Sequence, residues 1–295
     1  MKILICSDGS ARSKKAVSFT SIIATATEAE TTIFGITQNQ QKEGELKELL
    51  LEESRRLMQG GAKVEIATKS GDPVTEIIQW IQDRPYDLVV IGAERRGAQE
   101  FFLPSAKAYS IAEAISPPVL IVPRKRDELK RILICSGGGL YIENAVRFAT
   151  LIAKSLSAEI TLLTVVPEPP AMHGTLYRRQ EDVEAILKSG SALSRNLMIE
   201  KKIVEDGGVP ATIRIAHGLV VDQILAETAR GNYDLVVAGS WAIRNRWRTY
   251  AIGDITREIV NRTDRPVLVM RSDKKPKNFA NELRRMVAKF GPRPG

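Results

Sequence analysis

The sequence predicts an α/β protein made of two tandem domains, each with a five-stranded parallel sheet flanked by helices. The first observation is a repeat: Ile3–Ser7 returns as Ile132–Ser136 after 129 residues, and Tyr86–Val90 returns as Tyr233–Val237 after 147 residues. The second is the alternation of short apolar runs with amphipathic segments, which is typical of strand–helix–strand units. A repeat this long indicates two domains, because solenoid units span only about 20–50 residues.

In the first copy, strands are predicted where short runs are apolar or β-branched, and helices where apolar residues recur every three or four positions. The strands are Lys2–Cys6, Thr31–Thr37, Lys63–Lys69, Asp87–Ile91 and Val119–Val122. The helices are Ser13–Ala26, Glu43–Met58, Pro73–Gln82 and Ser105–Ile115. Leu88–Ile91 is apolar at every position, which favours a parallel sheet covered on both faces.

The second copy repeats this order. Its predicted strands are Ile132–Cys135, Glu159–Val165, Thr212–Ala216, Leu235–Ala238 and Val267–Met270. The repeat offset grows by 18 residues between the first and fourth strands, so an insertion is expected between Pro167 and Val209, with one long helix over Glu181–Lys201. We predict domains at 1–123 and 131–271, and the short charged segment between them predicts close packing of the two.

Composition and charge set the broad class. The chain has 295 residues and a formal net charge of +8, and residues 272–295 contribute seven basic against two acidic side chains. No apolar run approaches the roughly 20 residues that span a bilayer, and no signal peptide is recognised, so a cytoplasmic protein without a membrane span is expected. Cys6 and Cys135 occupy equivalent strands and are expected to be buried free thiols rather than a disulfide.

The tail and one loop offer further interpretations. Phe279, Leu283, Met286, Val287 and Phe290 fall on one face of a predicted basic amphipathic helix, which favours docking on the protein or a partner over membrane binding. The segment Trp241–Tyr250 interleaves aromatic residues with arginines, which could contact nucleic acid. Packing of these aromatics on their own domain is favoured, because no nucleic-acid-binding module accompanies them.

Candidate binding residues follow the strands, since ligands of open parallel sheets bind beyond the carboxyl ends of the strands. After the first strand the copies read Ser7-Asp8-Gly9-Ser10 and Ser136-Gly137-Gly138-Gly139. After the fourth strand they continue with Gly92 and Gly239, and the next helix opens at Pro104-Ser105-Ala106-Lys107 or Gly253-Asp254.

These residues carry a resemblance to a known family. The Asp8-Gly9-Ser10 turn, the Gly71-x-Pro73 turn and the repeated frame Tyr-Asp-Leu-Val-Val followed by Pro-Val-Leu are similar to those of universal stress proteins. The chain resembles two such domains in tandem, over nearly everything except the tail. The resemblance implies flavodoxin-like, adenine-nucleotide alpha-hydrolase-like domains that pair about a pseudo-two-fold axis, and further homodimerisation is open.

Nucleotide-binding members of that family carry a glycine-rich loop after the fourth strand that cradles ATP phosphates at a helix N-terminus. In the first copy Arg95 replaces the second glycine and Pro104-Ser105 replaces Gly-Ser. The resemblance implies at most one weak ATP or ADP site here, formed by Asp8, Gly9, Ser10, Ile36, Gly92 and Ser105. Arg95 and Lys107 could hold the phosphates by charge in place of the lost backbone contacts. The alternative interpretation is an ordinary turn beside solvated arginines.

The second copy is expected not to bind ATP. Ala242 replaces the second glycine of the loop, and Gly137 replaces the aspartate after the first strand. Asp254 follows Gly253 and is expected to cap the helix, where its carboxylate would repel a phosphate.

The sequence gives little support for an enzymatic function. The chain lacks a Gly-x4-Gly-Lys-Ser/Thr loop and has only two histidines, His173 and His217, so a P-loop NTPase and a zinc site are not expected. The interpretation favoured is a stress-response regulatory protein that acts by binding an unknown protein partner. The alternative is a nucleotide-dependent switch or slow ATPase working through the first domain.

Overall fold

A computed structural model describes residues 1–93, 106–137, 142–166, 183–241 and 254–272. The first half contains five strands: β1 (Lys2–Ser7), β2 (Glu30–Thr37), β3 (Lys63–Ser70), β4 (Leu88–Gly92) and β5 (Val119–Val122). Its helices are α1 (Ala11–Ala26), α2 (Glu43–Gln59), α3 (Pro73–Asp83) and α4 (Ala106–Ala114). A 3-10 turn at Gln40–Lys42 leads into α2. These elements lie where the sequence predicts them, with ends shifted by one or two residues.

In its described residues, the second half repeats the order with one additional helix. Its strands are β6 (Arg131–Cys135), β7 (Glu159–Val166), β8 (Ala211–His217), β9 (Leu235–Trp241) and β10 (Val267–Ser272). Its helices are α5 (Glu143–Leu156), α6 (Val183–Lys188), α7 (Ala192–Asp206), α8 (Val220–Arg230) and α9 (Asp254–Arg262).

The insertion in the second half differs from the prediction. The single helix expected over Glu181–Lys201 is two helices, α6 and α7, separated by Ser189–Ser191. Gly190 has φ of +62°, in the left-handed region that glycine adopts most readily, so it turns the chain between them. Ser191 then caps α7, because its side-chain oxygen accepts a hydrogen bond from the Ser194 N–H at 3.1 Å.

The ten strands form one continuous sheet in the order β3-β2-β1-β4-β5-β10-β9-β6-β7-β8. Strands are parallel within each half, as in β1 and β4, where Ile3 pairs with Leu88. The halves meet through the antiparallel pair β5 and β10, where Leu120 lies opposite Leu268. Each half is therefore a five-stranded parallel sheet, and the second half follows the reverse spatial order of the first.

Both faces of the sheet are covered by helices. One apolar layer joins the sheet to α1, α2, α5 and α7, and the other joins it to α3, α4, α8 and α9. Each layer contains buried side chains of both halves, so the apolar core continues across the β5–β10 junction. Burial of the apolar side chains in these two layers is the main stabilising contribution to the fold.

Ion pairs and a short connection reinforce the junction. The Arg257 guanidinium of α9 lies 2.9 Å from the Glu113 carboxylate of α4, and Arg124 lies 3.3 Å from Asp264. In the connecting segment Leu129 is 1% exposed, and the buried Asp234 accepts hydrogen bonds from the backbone N–H groups of Lys130 and Arg131. The segment between the halves is thus packed, in agreement with its short, charged sequence.

Within the described ranges, no helix is both long and apolar enough to cross a membrane. The tail beyond Ser272, with its predicted amphipathic helix, and most of the Trp241–Tyr250 loop lie outside the described residues.

Candidate functional site

The candidate site lies at the carboxyl ends of β1, β2 and β4 in the first half. The order β3-β2-β1-β4-β5 reverses direction at β1, because the chain moves from β1 to β2 and β3 on one side and returns to β4 on the other. Such a switch point leaves a crevice beyond the strand ends, since the connections on its two sides turn apart.

Asp8 is held in a tight turn between β1 and α1. Gly9 has φ of +72°, which a residue with a side chain rarely adopts, so glycine allows the chain to turn here. The Ser10 N–H donates a hydrogen bond to the Asp8 carboxylate at 3.1 Å, and the Gly9 N–H donates to Ser7 Oγ at 3.2 Å. These bonds fix the carboxylate at the entrance to α1.

The Asp8 carboxylate is ionised in this environment. Burial by itself would raise the pKa of Asp8, but hydrogen bonds from Ser10 and the positive charge of Arg12 outweigh it and lower the pKa. The Arg12 guanidinium lies 3.0 Å from the carboxylate, one helical turn further along α1. The site therefore presents a fixed negative charge with its own cationic neighbour, and a carboxylate of this kind can accept hydrogen bonds from hydroxyl or amino groups of a ligand.

Gly92 places the end of β4 against the start of α1. A Cβ added at Gly92 would lie 2.7 Å from the Arg12 carbonyl oxygen and 2.8 Å from its carbon. These are backbone atoms of the first helical turn, so only glycine fits without displacing α1. The glycine predicted after the fourth strand thus has a steric role in the site.

Around these residues is a cavity of about 710 Å³, a size typical of small-molecule sites. Its polar side is formed by Ser7, Asp8, Arg12, Ser13, Thr37, Gln38, Lys42 and Glu45. Its apolar side is formed by Ile36, Leu46, Leu49, Ile77, Ile91 and Ile111. A polar rim beside an apolar wall suits a ligand with an apolar part and a polar part.

Three of the predicted site residues, Asp8, Ile36 and Gly92, line this cavity. Gly9 and Ser10 lie in the adjoining turn. Arg95 and Ser105 lie outside the described residues. Lys107 belongs to α4, but the structure does not describe its side chain. Whether these three contribute to the site stays a prediction.

Sequence reasoning missed the contribution of α1 and α2 to the cavity. Arg12 could have been found from its spacing, because residues four apart on a helix are neighbours and Asp8 precedes it by four. Lys42, Glu45 and Leu49 come from the turn after β2 and the start of α2, which cover the Asp8 turn. Their sequence shows only a charged amphipathic helix, so the pattern carried no signal for them.

Cys6 also lines the cavity, at 8% exposure. Burial raises the pKa of this thiol to about 12, so the reactive thiolate is scarcely populated at neutral pH. Cys6 and Cys135 are both free thiols, but Cys135 is only partly buried, unlike the buried residue that the sequence predicts.

The second half has a different arrangement at the corresponding strand ends. Ser136 and Gly137 follow β6, and α9 begins at Asp254, whose side chain lies outside the described residues. The Thr256 hydroxyl donates a hydrogen bond to the Gly239 carbonyl at 3.1 Å, which ties the start of α9 to β9. The expectation that this half does not bind ATP stays a prediction.

A metal centre finds no support in the described ranges, because they contain no group of three or more His, Cys, Asp and Glu side chains that could hold an ion. His217 ends β8 opposite Val166. His173 lies outside the described ranges.

Comparisons with known proteins agree with this architecture. The universal stress protein family pattern matches residues 1–123 and again residues 128–271. The universal stress protein Slr1230 of Synechocystis sp. is 23% identical over 189 residues, which are 63% of this chain and 58% of that relative.

Two solved structures match nearly the full length. A universal stress protein from Archaeoglobus fulgidus has a TM-score of 0.71 at 18% identity, covering 92% of this chain and 98% of its own. A functionally unknown protein from Pseudomonas aeruginosa, PA1789, has a TM-score of 0.67 at 16% identity, covering 98% of this chain and 97% of its own. With the family pattern present twice and the same fold along the chain, this protein belongs to the universal stress protein family as a tandem member.

Proposed function

We propose that this protein is a cytoplasmic stress-response regulator that acts by binding a protein partner, with a single adenine-nucleotide site in its first half. The observation that supports the site is the 710 Å³ cavity in which the ionised Asp8, the apolar Ile36 and Gly92 meet at the switch point of the sheet. The Ile36 wall would contact the base, and Asp8 would accept hydrogen bonds from ligand hydroxyl groups.

Two features favour weak binding. Asp8 already forms an ion pair with Arg12, so a ligand must compete for that carboxylate. Lys42 and Glu45 add one charge of each sign to the described lining, which therefore carries no excess positive charge to attract a triphosphate. A second site is not proposed, because Gly137 of the second half cannot supply the carboxylate that Asp8 supplies in the first.

Native mass spectrometry of the full chain with Mg-ATP tests this proposal. We expect one bound nucleotide per chain. Asp8→Ala should weaken binding about tenfold or more, because a hydrogen bond to a charged group contributes about 1.5–3 kcal/mol. The matched control is Asp83→Ala, which removes an exposed acid that lines a groove at the opposite, amino ends of the strands and should leave binding unchanged.

The same spectra distinguish the alternatives. Two bound nucleotides would contradict the single site, and none at millimolar ATP would leave partner binding without a nucleotide role. Conversion of bound ATP to ADP in the wild type, absent in Asp8→Ala, would favour a switch or slow ATPase. The mass of the assembly also reports whether the chain forms a further homodimer.

A further inference from the structure

A glutamate is buried directly beneath the Asp8 turn. Glu53 of α2 is 9% exposed, and Ser7 Oγ donates a hydrogen bond to its Oε2 at 3.3 Å. Its other oxygen, Oε1, is buried and has no hydrogen-bond partner among the described residues. A buried carboxyl with one unpartnered oxygen costs free energy.

Ser7 connects this carboxyl to the turn that holds Asp8. Its hydroxyl accepts a hydrogen bond from the Gly9 N–H at 3.2 Å and donates a hydrogen bond to Glu53 at 3.3 Å. Gly9, Ser7 and Glu53 therefore form a continuous chain of hydrogen bonds from the cavity turn to the buried carboxyl. The same helix also packs on the turn, because a Cβ at Gly9 would lie 3.2 Å from Leu46 and 3.3 Å from Leu49.

Few charges surround Glu53. Burial has the largest effect and raises the pKa of Glu53. The Ser7 hydrogen bond and the charge of Lys14 in α1 lower this pKa, the charge of Asp8 raises it, and the net result is a raised pKa. The sheet contributes no charge, because β2 and β3 turn Ile33, Val64 and Ile66 toward the layer that contains α2. The ionisation of Glu53 is thus governed mainly by its burial, with smaller effects from Ser7, Lys14 and Asp8.

The second half repeats the pair. Ser136 Oγ donates a hydrogen bond to Glu200 of α7 at 3.0 Å, and Glu200 is 1% exposed. Ser136 and Glu200 follow Ser7 and Glu53 by 129 and 147 residues, the same offsets that relate the strands. The arrangement therefore belongs to the repeated fold, and the first half joins it to the turn that carries Asp8.

We infer that Glu53 is a positioning residue for the turn that holds Asp8, an inference that rests on the proposed nucleotide site. The charge of this buried carboxyl sets the orientation of Asp8 through Ser7 and Gly9. When Glu53 is ionised, its carboxylate accepts a hydrogen bond from the Ser7 hydroxyl and leaves the Ser7 oxygen free to accept the Gly9 N–H. When Glu53 is protonated, its own O–H competes for Ser7, and the Gly9 N–H is held less well.

Nuclear magnetic resonance of the full ¹⁵N-labelled chain without nucleotide tests the inference. We expect the Gly9 amide signal to shift with pH, with an inflection above 4.5, the ordinary pKa of glutamate. Asp8 cannot produce this inflection, because its pKa is lowered. Glu53→Gln should abolish it, and Ser7→Ala should abolish it while leaving Glu53 in place.

Glu52→Gln is the matched control, because Glu52 is the preceding acid on the same helix and is 66% exposed. The inflection should persist in this variant. An inflection that persists in Glu53→Gln, or is lost in Glu52→Gln, would overturn the inference. Unchanged amide signals elsewhere in β1 and α2 would show that the variants are folded.

Calorimetric titration with adenosine then tests the link to binding. Adenosine carries no phosphate, so electrostatic repulsion by Glu53 does not obscure the effect of turn geometry. We expect affinity to fall in the wild type as pH drops through the raised pKa of Glu53 and to stay constant in Glu53→Gln. Equal pH dependence of adenosine affinity in both proteins would overturn this link. If adenosine does not bind at all, the proposed function is contradicted, and the pH titration of the Gly9 amide signal then decides the inference.

Discussion

Glu200→Gln is expected to raise the free energy of unfolding above pH 7 by up to about 3 kcal/mol and to change it little near pH 4. Burial raises the pKa of Glu200 from 4.5 to about 7, and the Ser136 hydrogen bond offsets only part of this. A pKa difference of this size between the folded and unfolded chain corresponds to about 3 kcal/mol, since each unit is worth about 1.4 kcal/mol.

The sign follows from which form the fold favours. Because the folded-state pKa is raised, the stabilising contribution is complete below the unfolded value of 4.5 and is lost as pH rises through about 7. The glutamine side chain of the variant would resemble the protonated glutamate and keep an oxygen to accept the Ser136 hydrogen bond. The decrease in the free energy of unfolding that Glu200 causes as pH rises should therefore be absent in Glu200→Gln.

Urea unfolding followed by circular dichroism at pH 5 and pH 8 measures the effect. Glu205→Gln is the matched control, because Glu205 lies on the same helix but is 51% exposed and pairs with Lys201. This control should change the free energy of unfolding by only a few tenths of a kcal/mol at either pH. A Glu200→Gln protein as pH-dependent as the wild type would show that this carboxyl does not titrate near neutrality.

Much of the fold could be predicted because each strand carries its own signal. Runs such as Leu88–Val90 are fully buried and apolar, and the repeat fixes the element order twice. The continuous sheet was harder to foresee. β5 and β10 pair only if the edges of the two five-stranded sheets meet at these strands. Neither strand specifies its partner by its own sequence, which is Val119–Val122 in β5 and Val267–Ser272 in β10.

The single helix predicted over the insertion was wrong for a local reason. Residues 183–206 keep helical spacing of apolar residues on both sides of the break, so periodicity alone favours one helix. The Ser189-Gly190-Ser191 sequence is a start signal for a new helix, with Ser191 as its cap. Turn chemistry outweighed periodicity there.

The candidate site could be predicted only in part. Asp8, Ile36 and Gly92 were found because they follow strands whose carboxyl ends meet at the switch point. Glu53 could not be found this way. It lies in the middle of a helix rich in exposed glutamates, and only the packing of α2 on β1 distinguishes it from its neighbours.

Gly92→Ala is expected to lower the free energy of unfolding by about 1–3 kcal/mol and to weaken nucleotide binding in the first half. The added Cβ would lie 2.7 Å from the Arg12 carbonyl oxygen, and a backbone atom cannot move aside as a flexible side chain can. The first turn of α1 must therefore shift, and this shift separates Arg12 from the geometry that holds Asp8. Urea unfolding and the native mass spectra together measure both effects.

Gly44→Ala provides the opposite case in the same half. Gly44 lies near the start of α2, and a Cβ there would meet nothing within 4 Å. Alanine in place of glycine should stabilise the helix by up to about 1 kcal/mol, because it lowers the backbone entropy lost on folding. A Gly92→Ala protein as stable as Gly44→Ala would mean that β4 and α1 are not in contact at Gly92, and the steric basis of the site would be lost with it.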